Sequence, residues 1–315
     1  MNNNQLLPKI SVIVPVYNGD RDLPDLLKCL ENQTYPNNLA EYLIIDNNSS
    51  DRTREIILTA SQEKPKINIQ YIQENNIQSS YAARNKGIKA ATGEILAFTD
   101  ADCRPQNNWL ENLIAPFHKQ NIGIVAGEII ALPGNTILEK HAEKQNTLSQ
   151  KHTLAHSFYP YGQTANLAIR RKILQEIGLF RPYLTTGGDA DICWRIQQQT
   201  EWKLEFQAQA IVQHRHRSNL KELQKQWYRY GESNRYLHEL YGVDMIRELK
   251  GREYLYLLGR WLIKEIPRMG IKAIAGKANL VDILNTPIDL IGVWSRAKGQ
   301  RKTQLPEAAK AIEWE

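Results

Sequence analysis

The sequence has little sulfur chemistry to offer: three cysteines in 315 residues, Cys29, Cys103 and Cys193, too scattered for a disulfide framework or a thiolate metal site. A reducing, cytoplasmic setting is therefore the default expectation. No apolar run reaches the length of about 18 residues that a spanning helix needs. Residues 1–9 are polar and lack the apolar centre of a signal peptide. No Gly-x-Gly-x-x-Gly follows the first strand-like segment, which argues against a dinucleotide cofactor. The net charge of +6 is too modest for a nucleic-acid binder and suits an anionic substrate or a membrane surface. The expected location is thus the cytoplasm, or the inner face of the cell membrane as a peripheral protein.

What is present is a repeating alternation. Ile10-Ser-Val-Ile-Val-Pro-Val16 reads as a strand buried on both faces, with Pro15 near its end, and Tyr17-Asn18-Gly19 turns the chain. Asp20 or Asp22 can cap the helix that carries Leu23, Leu26, Leu27 and Leu30. Tyr42-Leu-Ile-Ile45 ends in Asp46, a helix runs to about Gln62, and Ile67–Ile72 alternates like a strand. A helix over Ser80–Ala91 leads into Gly93-Glu-Ile-Leu-Ala-Phe-Thr-Asp-Ala-Asp102, an apolar run closed by two carboxylates. Four strands alternating with three helices predict an α/β fold with a mostly parallel sheet. In such sheets ligands sit beyond the carboxyl ends of the strands. Pro15, Tyr17, Asp46, Asp100 and Asp102 all fall on that rim, which suits a mononucleotide-sized ligand and a divalent cation.

Beyond Asp102 the spacing predicts a helix over Asn107–Lys119, a strand over Ile122–Leu132 and an amphipathic helix over Thr136–His152. Ser157–Gln163 is aromatic and turn-rich, a substrate-side loop. Ala165–Arg170 reads as a strand, Lys172–Ile177 as a short helix, and Gly187-Gly-Asp-Ala-Asp191 opens another helix. Asp189 near that N-terminus is placed where the macrodipole favours its ionised form. Ala210–Val212 leads to His214 and His216, and Ser218 is the expected cap of a helix bearing Leu220, Leu223, Trp227 and Tyr230.

The last stretch is basic. Residues 250–302 carry eleven Lys or Arg against four acids, interleaved with Tyr254–Leu258, Trp261–Ile263 and Ile288–Trp294. This suits helices lying in a membrane interface, or equally a helical pair with a solvated basic face.

Five segments together resemble the inverting family-two glycosyltransferases of the nucleotide-diphospho-sugar transferase (GT-A) fold. They are Ser11–Asn18, Ile45–Thr53, Ala82-Ala-Arg-Asn-Lys-Gly87 with Ala91–Glu94, Asp100-Ala-Asp102, and Gly187–Arg195. The resemblance covers about residues 9–240. It implies a GT-A domain over 1–240, with a nucleotide-sugar half over about 9–105 and an acceptor half over about 106–240. A helical C-terminal extension follows over 241–315. The resemblance further implies Mg²⁺ or Mn²⁺ as cofactor, a nucleoside-diphosphate sugar as donor and a glycan or lipid-linked molecule as acceptor.

The resemblance also implies roles. Asp102 ligates the metal, with His214 completing the site and His216 an equally near alternative. Donor contacts fall to Pro15, Tyr17, Asn18, Asp46, Arg84, Asp100, Ala101 and Asn166. The Asp46 carboxylate can accept from a ring N–H of uracil or thymine, or merely cap its turn. Arg84 can pair with phosphate or base oxygens, or be an ordinary surface arginine. Asp189 aligns with the base that deprotonates the acceptor, and Asp191 caps or orients the helix. The family's usual Glu-Asp is here Gly188-Asp189, which puts in doubt the acceptor contact that the glutamate makes. In Gln226–Tyr230, a faint echo of a synthase motif, Trp227 and Tyr230 either stack on a sugar or fill core. A non-catalytic nucleotide-sugar sensor and a nucleotidyltransferase are the competing classes; the second lacks its Gly-rich loop here.

Overall fold

The structure, a computed structural model, describes residues 7–314; residues 1–6, where the polar start begins, and 315 lie outside the described residues. The chain divides into two compact units, one of residues 1–130, 148–214 and 306–315, the other of residues 131–147 and 215–305.

The first unit begins with β1 (Ile10–Val16), buried at every position. α1 (Leu23–Glu31) turns Leu23, Leu26, Leu27 and Leu30 inward. β2 (Ala40–Asp46), α2 (Thr53–Glu63), β3 (Asn68–Gln73), α3 (Ser80–Ala90) and β4 (Ile95–Phe98) continue the alternation. The four strands pair in parallel, with Val16 level with Asp46 and Ile13 level with Phe98. Their carboxyl ends therefore line one rim.

The second half of the sheet reverses direction. β5 (Cys103–Pro105) is followed by α4 (Trp109–Ile114) and β6 (Ile122–Ala131). Then come α5 (Ile137–Lys144), which belongs to the second unit, and, back in the first, α6 (Gln150–Leu154), β7 (Leu167–Arg170), α7 (Arg171–Ile177), α8 (Gly188–Gln199) and β8 (Lys203–His214). The strand order is β3-β2-β1-β4-β7-β6-β8-β5, with β7 antiparallel to both β4 and β6, and β5 antiparallel to β8. This mixed α/β sheet flanked by helices is the expected fold class. The core packs Val12, Val14, Leu26, Tyr42 and Ile57 with Trp109, Leu113, Val125 and Val212.

Several boundaries differ from expectation for physical reasons. The helix expected over Thr136–His152 is broken: Asn146 takes a positive φ of 50°, and Ser149 caps a fresh start by accepting the Lys151 N–H. β8 begins at Lys203, because its polar residues Lys203, Glu205, Gln207 and Gln209 hide the strand from a search for apolar runs. β5, three residues long, gave no periodic signal.

In the second unit α9 (Leu220–Tyr241) is capped by Asn219, not Ser218; the Asn219 side chain accepts the Glu222 N–H at 3.0 Å. α10 (Gly251–Arg260), a π-helical turn over residues 261–265, α11 (Ile266–Ile274) and α12 (Leu280–Lys302) complete it. α9 and α12 cross at glycines. A β-carbon on Gly231 would collide with the Arg296 carbonyl, and one on Gly299 with the Tyr228 carbonyl. Trp227 lies against Gly292 and under the Arg296 guanidinium, the packing role of the two expected for it.

Candidate active site

The rim of the parallel strands carries most of the residues singled out above. Asn18 sits at the end of β1 with φ of 50°, and it laces the first two strand ends together. Its N–H donates to Ser49 Oγ at 2.9 Å and its Oδ1 accepts the Ser50 N–H at 2.9 Å. Pro15 is buried and Tyr17 exposed, so the tyrosine ring stands free at the rim. Asp46 is buried; Oδ1 accepts the Ser49 N–H at 2.9 Å and Oδ2 the Tyr71 hydroxyl at 3.1 Å. Its carboxylate does cap the turn, with a further lone pair on each oxygen.

Arg84 is no surface arginine. It is buried, and its Nη2 donates to Asp100 Oδ1 at 2.6 Å while its guanidinium lies 5.4 Å from the Tyr81 ring centre. Its Nε has no hydrogen-bond partner among the described residues. A buried donor in that state is costly unless a ligand satisfies it. Ala101 links Asp100 to Asp102 in a turn held by Arg104, whose Nη1 donates to the Ala101 and Cys103 carbonyls. Arg104 is itself anchored by Asp22 and Asp25 on α1, at 3.0 and 3.1 Å. Asp22 is thus occupied and makes no side-chain cap on α1.

The antiparallel pairing of β5 with β8 sets Cys103 opposite His214. His214 Nε2 therefore comes to 3.2 Å from Asp102 Oδ1. Ligand atoms of Asp102, Cys103 and His214 lie within 4.8 Å of one another, the one such group among the described residues, and His216 is not in it. Burial pushes the Cys103 thiol well above its ordinary range, and the thiol points at the Ala165 carbonyl. A neutral thiol is a poor ligand for a hard cation. That leaves one carboxylate and one imidazole, a sparse set that fits an ion retaining waters and taking substrate phosphates.

Asp189 opens α8 behind Gly187, a left-handed glycine with φ of 81°. Its Oδ1 accepts the Thr164 hydroxyl at 2.8 Å. The helix N-terminus favours the ionised form of this half-buried acid, as expected, and its surroundings pull the other way. Burial raises its pKa; the Arg84 charge and the Thr164 hydrogen bond offset part of that rise, and Asp100 adds to it. Desolvation outweighs the dipole because it acts on the whole charge, whereas the dipole supplies a fraction of one. Asp191 is fully buried between Arg181, at 2.8 Å, and Arg195, at 3.1 Å, so it orients the helix. Gly188 has a steric reason: a β-carbon there would stand 2.7 Å from the Tyr81 ring, which stacks on Phe180.

Asn166 lies two positions beyond Thr164, on the same 3₁₀ turn, with its side chain engaged by the scaffold. It is fully buried, its Nδ2 donating to the Glu128 and Ala210 carbonyls at 2.8 Å and its Oδ1 accepting from Trp109 Nε1 at 2.8 Å. Both amide protons are spent on scaffold. The aromatic loop over 157–163 likewise turns inward, where Phe158 and Tyr161 pack edge-on to Trp194. Two residues escaped the sequence reading. Thr164 gave no signal, because its partner lies 25 positions away. Arg104 did offer one, as an arginine directly after Asp-Ala-Asp-Cys in a buried strand.

Comparison with known proteins bears on the family and the fold. The sequence profile described as "Glycosyl transferase family 2" matches residues 11–178, and that of "Glycosyl transferase family group 2" matches residues 95–267. The chain is 36% identical over 185 residues to "Glycosyltransferase AglE" of Haloferax volcanii, covering 58% of this chain and 59% of the relative. It is 30% identical over 142 residues to "UDP-Glc:alpha-D-GlcNAc-diphosphoundecaprenol beta-1,3-glucosyltransferase WfgD" of Escherichia coli, covering 45% and 54%. The chain thus spans little more than half the length of these relatives. Among solved structures, the mannosyltransferase PcManGT from Pyrobaculum calidifontis in complex with GDP-Man and Mn²⁺ superposes with a TM-score of 0.64 at 17% identity. The match covers 95% of this chain and 88% of that one, a likeness of fold.

Proposed function

This chain belongs to glycosyl transferase family 2, and from that premise we propose that it is a glycosyltransferase carrying out a metal-dependent, inverting transfer of one sugar from a nucleoside-diphosphate donor to a lipid-linked or cell-envelope glycan. A uridine donor is favoured. The Escherichia coli relative is named for UDP-Glc and a diphosphoundecaprenol acceptor, and Asp46 is an acceptor suited to a ring N–H. The observation that carries the reading is the convergence on one rim of Asp102 with His214 and of Asp100 with Arg84 and Asp189.

Asp102 and His214 would hold the cation, Mg²⁺ or Mn²⁺, which when bound supplies Lewis acidity to the diphosphate leaving group. Arg84 offers its unsatisfied Nε to phosphate oxygen while Nη2 keeps Asp100 aimed at the ribose side. Asp189 takes the proton from the acceptor hydroxyl as that oxygen bonds to the anomeric carbon and the carbon–phosphate oxygen bond breaks on the opposite face. A carboxyl whose pKa burial raises suits that role better than an exposed one, since a stronger base takes the proton more readily. Thr164 holds Oδ1, leaving Oδ2 to meet the hydroxyl.

The test is transfer or hydrolysis of UDP-sugars with Mn²⁺ or Mg²⁺ in folded Asp102→Ala and Asp189→Ala proteins, both expected inactive. Thermal stabilisation by UDP and Mn²⁺, without a response to GDP, is expected by mass action. Transfer retained by Asp189→Asn overturns the base assignment.

A further inference from the structure

We propose that the outer face of α10, the π-turn and α11 docks on a bilayer containing anionic phospholipid. The inference goes beyond the transfer chemistry and uses none of its residues. No helix among the described residues is long and apolar enough to cross a membrane, so the contact is interfacial.

Two stripes define the face. Tyr256, Ile263, Ile271 and Ile274 recur at helical spacing and are solvent-exposed, Ile263 at 77%, Ile271 at 71% and Ile274 at 91%. Leu255 and Leu262 widen the apolar stripe and are also exposed. Beside it, Arg260, Lys264, Arg268 and Lys272 repeat every four residues, one position on from the apolar row. Neither α10, nor the π-turn, nor α11 has a fully buried residue.

The orientation is fixed from the other side. Trp261 Nε1 donates to the Ile283 carbonyl at 2.7 Å, and the Glu265 carboxylate accepts the Thr286 hydroxyl at 2.5 Å, both tying the segment to α12. The acids of the segment are consumed: Glu265 also pairs with Arg260 at 2.8 Å, and Glu253 with Arg247 at 2.7 Å. Residues 250–280 hold seven Lys or Arg against these two acids. An exposed apolar stripe flanked by cations and too polar to insert is the chemistry of an in-plane interfacial helix.

A negatively charged lipid surface satisfies both stripes at once. A second copy docked face to face about a twofold axis would bring like rows of cations together, so the charge pattern selects lipid.

The experiment is flotation of the full chain with vesicles of phosphatidylcholine alone and of a phosphatidylcholine–phosphatidylglycerol mixture, at low and high salt. Wild type is expected to float with the anionic vesicles, to stay behind with the neutral ones, and to be released by salt. Joint Lys264→Gln, Arg268→Gln and Lys272→Gln should lower the partition on the order of a hundredfold, at about fivefold per cation. Joint Ile263→Ser, Ile271→Ser and Ile274→Ser should abolish flotation. Both variants change exposed or half-exposed positions, and an unaltered melting curve shows that each still folds. No binding by wild type, equal binding to neutral vesicles, or undiminished binding by either variant overturns the proposal. So does a concentration-dependent dimer that the serine variant dissolves while vesicles are ignored. Flotation requires neither donor nor turnover, so its failure is distinct from failure of the transferase reading.

Discussion

Thr164→Val offers the sharpest test of Asp189 as the base. The hydroxyl donates to Asp189 Oδ1 at 2.8 Å from a buried position, and it is one of the influences holding down a pKa that burial raises. Valine keeps the shape and removes the donor. A hydrogen bond to a charged group contributes about 1.5–3 kcal/mol. Its loss disfavours the ionised carboxylate by between about tenfold and a hundredfold. The sign follows directly. With Asp189 as the proposed base its ionised form is the active one, so the acidic limb of kcat/KM moves to higher pH in Thr164→Val. Activity falls by the full factor on the acid side and recovers as the pH climbs past the shifted limb. Thr164→Ser retains the hydroxyl and should restore the wild-type profile. The assay is the pH dependence of kcat/KM for UDP-sugar turnover with Mn²⁺. A loss uniform across pH, or a serine variant as impaired as the valine one, refutes the reasoning and leaves Thr164 a packing residue.

Asp189→Asn should lose about 10²- to 10⁴-fold in kcat yet melt higher than wild type at neutral pH. The folded state binds the Asp189 proton more tightly than the unfolded chain, so wild-type stability falls as pH rises from the unfolded pKa through the raised folded one; the amide escapes that fall, and in acid the two melting curves should meet. His214→Ala should lose Mn²⁺-dependent stabilisation by UDP in a thermal-shift assay, whereas Cys103→Ala should keep it, because the soft Cys103 sulfur is aimed at the Ala165 carbonyl and suits a hard cation poorly. Asn166→Leu strands the Trp109 N–H and the Glu128 and Ala210 carbonyls. At about 1–3 kcal/mol per stranded group, it should lower the urea midpoint strongly; folded protein with altered donor KM alone would return Asn166 to the site.

What was legible in the sequence is what short-range patterning dictates. β1 and α1 announce themselves by continuous burial and by the leucine spacing, and parallel pairing of alternating strands brings Asp46 and Asp100 to one rim without further information. What escaped depends on partners far apart in the chain. The nearness of His214 to Asp102 is an expectation only through the family resemblance; its physical cause, a three-residue strand paired with the end of a polar twelve-residue one, is not written locally. Thr164 and Asn166 are two positions apart on one 3₁₀ turn, and nothing local tells that the first faces Asp189 while the second turns into the scaffold. Gly188 shows the same limit from the other side: the missing glutamate is visible in the sequence, but the Tyr81 ring that occupies its space is not.

The balance of effects at Asp189 shows the same division. A helix N-terminus is written in three or four consecutive residues, so its pull on a carboxylate can be read directly, and it is worth about 0.3–1 kcal/mol at ordinary exposure. Desolvation is a sum over everything packed around the group, which the linear sequence does not state, and it can exceed the dipole several-fold. An acid placed at a helix start therefore reads as easily ionised, and the fold then makes it hard to ionise. For a surface cap the first effect governs. Asp189 is half-buried beside Thr164 and flanked by Asp100, with Arg84 in partial opposition, and there the second governs, raising the carboxyl's pKa.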